Sequence, residues 1–569
     1  MRFELKDSRR LTGSNLYWER PSAIIDVAID GSPQEIIAAW EKAVRQLLDP
    51  VGYSEQASCY RVYDGGASLL ISAPIDVLYS MCELNETAWA TAVAAQTGDS
   101  PPDPLEEIPR LVRLFDEERN PSLLALQAAA HRHAVPFLWD DDEVSLGYGR
   151  SVRIWSPNNL PAPYEIDWSD FESIPLAMVT GTNGKSTTVR MTAAIMTAAG
   201  YNAGLTSTDF IRVGERVIDT GDYSGTGGAR MLMRQKDVEM AVLEVARGGL
   251  LRRGLGVERA DVAVVTNVAA DHLGDYGINS VPELIPAKFI VSKALHGKAP
   301  LVVNADDEGV VEYASILDKV KIWFSLDSEN PVLLAARSAG GAVCYLDNGW
   351  IMFANGADAR QLANVDEIPA TLSGRVRYNI SNAMAACCIA LSLGLPDKAI
   401  RNGLAVFRGD EHDNPGRGNW FEHETDGGTI NILVDFAHNE HGMNALADAI
   451  RQVPAERIIL LMGQAGDRPD KDIADLVRAA CSVRPGQLLV AELPGYERGR
   501  STGEVPELIR QEAIRSGIPA DVIELFPAPR EATSEALDRA RPGDLIVLLA
   551  LTQRAEALAL VHEFLEDRA

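Results

Sequence analysis

Short apolar runs alternate with longer amphipathic stretches in the first 160 residues. The apolar runs Ala23–Val27 and Ala67–Ile71 have the length and composition of strands, whereas Pro33–Leu48 and Pro121–His133 are typical of helices. Strands and helices mixed in this way, without a regular repeat, predict an α+β domain over residues 1–160.

A proline-rich stretch at residues 156–163 predicts the linker that ends this first domain, because repeated prolines discourage helix. From about residue 170, a β-rich run, a loop and a helical segment follow one another repeatedly. The β-rich runs are Leu176–Thr180, Ala241–Glu244, Val262–Thr266 and Leu301–Val303. This alternation predicts a parallel sheet with helices on both faces, in a central domain over residues 161–405.

The same alternation begins again near Phe407. Its β-rich runs are Ile430–Val434, Ile458–Met462, Leu488–Val490 and Leu545–Leu549. They predict a second, smaller, Rossmann-like α/β domain over residues 406–569. The whole chain is therefore predicted to be an α/β multidomain protein.

The charge of the chain narrows the range of partners. The 81 acidic side chains outnumber the 53 Lys and Arg side chains, so the formal net charge is −28. A surplus of this size repels a phosphate backbone, and nucleic acid is not an expected partner. The surplus favours cationic ligands, such as arginine or an arginine-rich polymer.

The cysteines and the apolar stretches indicate the compartment. The six cysteines lack CxxC spacing, which predicts free, buried thiols in a reducing cytoplasm. The first residues lack the apolar core of a signal peptide, and no stretch approaches the roughly 18 apolar residues that span a bilayer. We therefore expect a cytoplasmic protein without a membrane partner.

A glycine-rich motif, V-T-G-T-N-G-K-S-T, lies between a predicted strand and a predicted helix at Val179–Thr187. In such loops the glycines allow backbone N–H groups to converge on phosphate, the lysine adds a positive charge, and Ser186 or Thr187 can ligate Mg²⁺. Val179 stands where the general P-loop pattern has glycine, so only a specific variant of that pattern is matched. The motif predicts a central P-loop ATPase domain whose nucleotide-binding residues are Gly181, Thr182, Asn183, Gly184, Lys185, Ser186 and Thr187.

This variant, T-G-T-N-G-K-S-T, resembles the ATP loop of the Mur ligase superfamily. Further segments that resemble the family's motifs follow in the family's order: Leu243–Gly249, Thr266–Leu273, Asn304–Asp307, Tyr378–Ala386, Gly416–Gly418 and Val434–Asn439. Tyr378 replaces the usual histidine. The resemblance covers about residues 170–569 and rests on the joint order of the motifs.

Within the superfamily, Ala241–Gly256 resembles the cyanophycin synthetases more than the peptidoglycan ligases. The N-terminal segments Leu11–Trp18 and Leu146–Gly149 are also similar to that family. The family carries an ATP-grasp domain between these N-terminal and Mur-like parts. Here about thirty residues separate Gly149 from the strand of the phosphate loop, which leaves no room for such a domain.

The resemblance implies an ATP-dependent, ADP-forming carboxylate–amine ligase that uses Mg²⁺. In cyanophycin-like chemistry, arginine or a similar amino acid is joined to an aspartyl side-chain carboxylate of a peptide or polymer acceptor. Two alternatives remain open: a ligase of the folylpolyglutamate or poly-γ-glutamate type, and a non-catalytic polymer-binding scaffold. Association into a homo-oligomer is also open.

The resemblance also implies roles for individual residues. The implied catalytic residues are Lys185, Glu244, His272 and Lys288, and Lys288 is carbamylated in many members of the superfamily. The implied metal ligands are Ser186, Glu244 and His272. Further nucleotide-binding residues are Asn379, Asn382, Arg417, Asp435, His438 and Asn439, and the implied substrate residues are Arg230 and Arg247. The segment at residues 221–230 departs from the family pattern, so the acceptor is not identified by resemblance.

Overall fold

A computed structural model describes residues 3–567; positions 1, 2, 568 and 569 of the two predicted terminal domains lie outside the described residues. The N-terminal part contains β1 (Phe3–Leu11), β2 (Ser22–Ile29), α1 (Gln34–Leu48), β3 (Ser58–Tyr63), β4 (Gly66–Ser72), α2 (Leu78–Thr97), α3 (Pro104–Glu118), α4 (Pro121–Arg132), β5 (Phe137–Trp139), β6 (Val144–Leu146) and β7 (Arg153–Trp155). An antiparallel sheet has the order β1-β2-β4-β3, and β5, β6 and β7 form a second, small sheet. The α+β prediction is confirmed.

The helices of this part pack through apolar residues at helical spacing. In α1 the side chains of Ile36, Ile37, Trp40, Val44 and Leu47 are buried in an apolar core that also contains residues of α2 and of the sheet. The Trp40 indole N–H donates to Asn85 Oδ1 at 2.8 Å, so this buried donor has a hydrogen-bond partner.

The central part contains β8 (Leu176–Thr180), α5 (Lys185–Ala198), β9 (Ala203–Thr206), β10 (Phe210–Val213), β11 (Arg216–Thr220), α6 (Thr226–Met233), β12 (Met240–Glu244), α7 (Arg247–Arg253), β13 (Val262–Val265), α8 (Val281–Lys288), β14 (Leu301–Asn304), α9 (Glu308–Ile316), β15 (Lys321–Ser325), α10 (Pro331–Ser338), β16 (Ala342–Asp347), β17 (Trp350–Asn355), β18 (Asp358–Asn364), α11 (Arg377–Ser392) and α12 (Asp397–Val406). One sheet has the order β11-β10-β9-β12-β8-β13-β14-β15-β16-β17-β18.

The predicted parallel sheet forms the middle of this larger sheet, from β9 to β16. Strands β8, β12 and β13 are buried along their whole length, because apolar clusters cover both faces. The sequence pattern did not predict the two edges. There β10 and β11 on one side, and β17 and β18 on the other, pair antiparallel.

The C-terminal part contains β19 (Asn419–Thr425), β20 (Gly428–Asp435), α13 (Glu440–Ile450), β21 (Arg457–Met462), α14 (Asp470–Cys481), β22 (Gln487–Ala491), α15 (Glu504–Arg515), β23 (Ile523–Phe526), α16 (Pro529–Asp538), β24 (Asp544–Leu549) and α17 (Arg554–Asp567). Its sheet has the order β19-β20-β24-β21-β22-β23 and is parallel except for β19. The Rossmann-like prediction is confirmed.

Two global features bear on the earlier expectations. No helix within residues 3–567 is long and apolar enough to cross a membrane. All six cysteines are free thiols, four of them buried and two, Cys59 and Cys82, half-buried.

Candidate active site

The carboxyl ends of the two parallel sheets border one cavity of about 2170 Å³. Segments that follow β8, β12 and β13 line it from the central part, and segments that follow β20 and β24 line it from the C-terminal part. Ligands of open α/β sheets bind outside the carboxyl ends of the strands. The cavity is therefore the candidate active site, and it lies between two sheets rather than beside one.

Two glycines of the phosphate loop occupy positions that no other residue fits. Gly181 has φ +147°, and a Cβ there would lie 1.9 Å from Thr266 Oγ1. Gly184 has φ +85°, and a Cβ there would lie 2.2 Å from Asn382 Oδ1. A side chain at either position would displace the loop from its neighbours.

Two lysines contact the phosphate loop. Lys185, at the start of α5, lines the cavity and donates from Nζ to the Thr182 carbonyl oxygen at 2.9 Å. Lys288, only 4% exposed, donates from Nζ to the Gly181 carbonyl oxygen at 2.8 Å. Burial, together with the nearby charge of Lys185, holds the pKa of Lys288 well below its usual value. Burial therefore favours the neutral form of the Lys288 amine.

Glu244, at the end of β12, carries a buried carboxylate oxygen that lacks a partner among the described residues. Its Oε2 accepts a hydrogen bond from the Thr208 backbone N–H at 3.3 Å, but Oε1 is the unpartnered atom. The Ser186 hydroxyl lies 3.4 Å from the Thr208 hydroxyl, on the same side of the cavity. A buried carboxylate oxygen without a partner is costly unless a cation or donor reaches it.

Glu244 and Ser186 could bind a magnesium ion whose remaining ligands are water and phosphate oxygens. Within residues 3–567, no three His, Cys, Asp or Glu side chains come together as a complete metal cage. Mg²⁺ usually takes one or two carboxylates and completes its shell with water and phosphate oxygens. Glu244 and the Ser186 hydroxyl match that requirement.

His272 lies in a loop after β13, and its side chain is about half exposed. Loss of hydration, with Arg468 and Arg247 nearby, lowers the pKa of His272 to about 4, although the adjacent carboxylate opposes this. The imidazole is therefore neutral near pH 7, which is the form that can ligate a metal.

The adjacent residue, Asp271, connects the central part to the C-terminal part through its side chain. Its carboxylate lies 2.9 Å from Arg468 NH1 and 3.7 Å from His438 Nε2, both from the C-terminal part. Burial opposes ionisation of Asp271, but His438, His272 and Arg468 outweigh it and hold its pKa below the usual range.

The two asparagines of α11 are stacked one behind the other. Asn382 lines the cavity, and its Nδ2 donates to Asn379 Oδ1 at 3.1 Å. Asn379 is not among the lining residues; its Nδ2 donates to the Ala370 carbonyl oxygen at 2.8 Å. Asn379 thus fixes the orientation of Asn382, and Asn382 alone of the pair faces the cavity.

Three of the four predicted C-terminal residues line the same cavity; the fourth, Asn439, is not among its lining residues. Arg417, Asp435 and His438 line it, and burial raises the pKa of Asp435 to about 6. Asn439 caps α13 by accepting from the Gly442 N–H at 2.8 Å. It also accepts from the Asn183 side chain at 3.1 Å, which joins the cap to the phosphate loop.

The two predicted substrate arginines lie in different places. Arg247 lines the cavity, where it donates to the His272 carbonyl oxygen and pairs with Asp275 at 2.8 Å. Arg230 does not line the cavity. It donates to Thr12 Oγ1 at 3.0 Å and lies over the Trp139 ring, inside the contact with the N-terminal part.

A charged cluster centred on Asp209, which lines the cavity, was not predicted. Asp209, which follows β9, pairs with Arg190 of α5 and with two C-terminal arginines, Arg554 at 2.6 Å and Arg417 at 3.3 Å. Burial opposes ionisation of Asp209, but the three guanidinium groups hold its pKa below the usual range. Asp271 and Arg468 lie in loops after predicted strands, and that position was the available clue for them; the strand before Asp209, β9, was not predicted.

The Asp209→Asn substitution should lower the free energy of unfolding by about 3 kcal/mol, because it leaves the buried Arg190 without its charged partner. Urea unfolding of the full chain measures this. The control is Asp397→Asn, which breaks an exposed pair with Arg360 and should cost less than about 1 kcal/mol.

The contribution of Asp209 to the free energy of unfolding depends on pH. The pKa of Asp209 is lower in the folded chain than its unfolded value of about 4, so its stabilising effect is complete above pH 4. The effect is lost as the pH falls below that value. An Asp209→Asn protein that stays as stable as the wild type at pH 7 would contradict this account of the cluster.

Two protein-family models match the chain. Residues 179–390 match the Mur ligase middle domain, and residues 416–550 match the Mur ligase glutamate ligase domain. Together the two matches cover more than half of the chain and contain all of the predicted site residues.

Among curated proteins, the cyanophycin synthetase of Crocosphaera subtropica is 35% identical over 375 residues, which are 66% of this chain and 42% of that protein. The chain therefore spans less than half the length of this relative.

Among solved structures, FolC of E. coli in complex with DHPP and ADP has a TM-score of 0.50 at 21% identity, covering 69% of this chain and 89% of that one. The folylpolyglutamate synthase/dihydrofolate synthase of Yersinia pestis with AMPPNP and Mn has the same score and identity, covering 68% and 89%. Both share the fold. With two matching domain models and the matching fold, this chain belongs to the Mur ligase family.

Proposed function

We propose that this chain is an ATP-dependent ligase that joins a carboxylate to the amine of an amino acid. The observation that carries the proposal is one cavity in which the phosphate loop, with Lys185, faces the unpartnered carboxylate oxygen of Glu244. A cationic loop beside a buried acid is the arrangement that phosphoryl transfer with a divalent cation requires. The ADP bound to FolC and the AMPPNP and Mn bound to the Yersinia enzyme support the same ligands here.

The chemistry follows from the weakness of a carboxylate as an electrophile. A carboxylate oxygen attacks the γ-phosphorus of ATP, the bond from that phosphorus to the ADP oxygen breaks, and an acyl phosphate forms. The amine then attacks the acyl carbon, the bond to phosphate breaks, and the amide, phosphate and a proton are released. Enzymes promote such steps through positioning and charge neutralisation.

Residues of this chain have assignable parts in that sequence. Lys185 would neutralise the transferring phosphoryl group, and the N–H groups from Gly184 to Thr187 would hold the phosphates, because those of Thr182 and Asn183 already donate to Asn267. Asn382 would contact the nucleotide with Asn379 behind it. Asp435, Arg417 and His438 would contact it from the C-terminal domain, and Asn439 would hold that domain to the loop.

The metal ligands in this proposal are Glu244, His272 and the hydroxyl of Ser186, with Thr187 as the alternative hydroxyl. Bound Mg²⁺ would supply positive charge to the phosphate oxygens. The Thr187 hydroxyl accepts from Asn414 Nδ2 at 3.1 Å, whereas Ser186 has only its weak contact with Thr208. This difference favours Ser186.

Closure of the C-terminal domain over the cavity protects the acyl phosphate from water. Asp271 pairs across the two domains with Arg468, and Asn183 with Asn439. A closed cavity excludes water that would hydrolyse the intermediate.

For the substrates, we propose arginine, or a similar amino acid, as the amine and an aspartyl side-chain carboxylate of a peptide or polymer as the acceptor. The 35% identity to a cyanophycin synthetase and the net charge of −28 support this pair. The N-terminal domain of residues 1–160, the central domain of residues 161–405 and the C-terminal domain of residues 406–569 would act together on them.

The test is phosphate release from ATP across the amino acids, with β-aspartyl peptides and polyaspartate as acceptors. We expect turnover only when amine and acceptor are both present, and the highest rate with arginine. Turnover with glutamate and a γ-glutamyl acceptor would instead support a ligase of the folylpolyglutamate or poly-γ-glutamate type. Polymer binding without any ATP turnover would support the scaffold alternative.

A further inference from the structure

The loop that carries His272 has an unusual backbone. Residues His272, Gly274, Tyr276 and Gly277 all have positive φ, at 51°, 101°, 54° and 66°. Residues other than glycine rarely adopt this conformation, and two of these four are not glycine. Such a backbone persists where surrounding contacts hold it in place.

Part of the support comes from the central domain. Arg247 donates to the His272 carbonyl oxygen and pairs with Asp275, so it fixes the first half of the loop. Its guanidinium hydrogen bonds go to His272 and Asp275, and not to Tyr276 or Gly277. The second half needs another source of support.

That support comes from β3 of the N-terminal domain. Arg61 NH2 donates to the carbonyl oxygens of both Tyr276, at 3.0 Å, and Gly277, at 2.8 Å. The Tyr63 ring packs on Gly277 so closely that a Cβ there would lie 2.3 Å from it. The backbone of the second half is therefore held by hydrogen bonds and by packing from the same strand.

A second N-terminal arginine contacts the side chain of Tyr276. The Arg9 guanidinium lies 4.5 Å from the centre of the Tyr276 ring. Arg9 is itself fixed, because it pairs with Asp26 at 2.5 Å and donates from Nε to the Leu251 carbonyl oxygen in α7 at 3.1 Å. The N-terminal domain thus contacts both segments that carry Arg247 and His272.

We propose that Arg61 is a positioning residue of the ligase site, and that it acts from the N-terminal domain by fixing the backbone of residues 276–277, which completes the support of the loop that carries His272. The catalytic consequence rests on the proposed function; the effect on the loop does not. A guanidinium nitrogen with two hydrogen atoms can serve both carbonyl oxygens at once. The N-terminal domain is then a structural part of the active site.

The test compares Arg61→Met with Arg45→Met in the full-length chain. Methionine keeps much of the apolar stem of Arg61 and removes the hydrogen bonds, and Arg45 is an exposed arginine of α1 in the same domain. Hydrogen exchange of the backbone amides of residues 271–278 should become at least tenfold faster in Arg61→Met and stay unchanged in Arg45→Met. Exchange in the phosphate loop, residues 181–187, should stay unchanged in both.

Steady-state kinetics give the second measurement. In Arg61→Met, kcat should fall at least tenfold and the half-saturating Mg²⁺ concentration should rise, while the KM for ATP stays within twofold. Arg61→Lys, which keeps the charge, should recover part of kcat; it also carries the test if the methionine variant does not fold. Wild-type exchange at residues 271–278 in both Arg61 variants would overturn the inference. A wild-type enzyme without ligase activity would overturn the proposed function and leave the exchange result valid.

Discussion

Lys185→Ala should lower the rate of amide formation by at least about a hundredfold while the fold is retained. Lys185 Nζ is the cation of the phosphate loop, and its hydrogen bond to the Thr182 carbonyl oxygen leaves further donors for a phosphate ligand. Removing it leaves the charge of the transferring phosphoryl group without its fixed counter-charge. The effect should therefore appear in kcat, and phosphate release under saturating ATP measures it.

The control for this prediction is Lys236→Ala, because Lys236 is an exposed lysine outside the cavity. It should leave the rate unchanged. Circular dichroism and the thermal midpoint should be unchanged in both variants. A folded Lys185→Ala protein that forms the amide at the wild-type rate would contradict the role assigned to the phosphate loop.

Lys288→Ala should lose most of the activity, and a short carboxylic acid added in solution should restore part of it. Lys288 is buried beside the phosphate loop, and burial together with Lys185 holds its pKa well below the usual value. A neutral amine reacts with CO₂ to give a carbamate and a proton, which replaces the amine with a carboxylate. That carboxylate would then be available to a metal or to the substrate.

Two measurements separate this account from a purely structural lysine. Activity of the wild type should depend on bicarbonate, and labelled bicarbonate should give a carbamate signal by NMR that Lys288→Ala lacks. The same carboxylic acid should not rescue Lys185→Ala, because that variant lacks a cation. Full activity of Lys288→Ala would show that its hydrogen bond to Gly181 serves only the fold.

The local structure of the site could be predicted from the sequence. The apolar run Leu176–Thr180 is a strand with those same bounds, and the glycines after it occupy positions where a Cβ would collide with a neighbour. Strand periodicity and the need for glycine are local properties, so they can be inferred from neighbouring residues in the sequence. The order of the motifs then gave the family, because motif order does not depend on knowing how the chain packs.

The sequence by itself determined strands in the middle of the two large sheets (β8, β12, β13, β14, β20, β21, β22 and β24), the phosphate loop and the family. The tertiary structure alone decided which charged groups meet. Asp209 pairs with Arg554, 345 residues away, and Arg61 reaches Tyr276, 215 residues away. It also decided that Arg230 lies against the N-terminal part, at Thr12, while Arg247 faces the cavity. The physical reason is that periodicity specifies which face of an element is buried, whereas a hydrogen bond depends on the relative placement of whole domains.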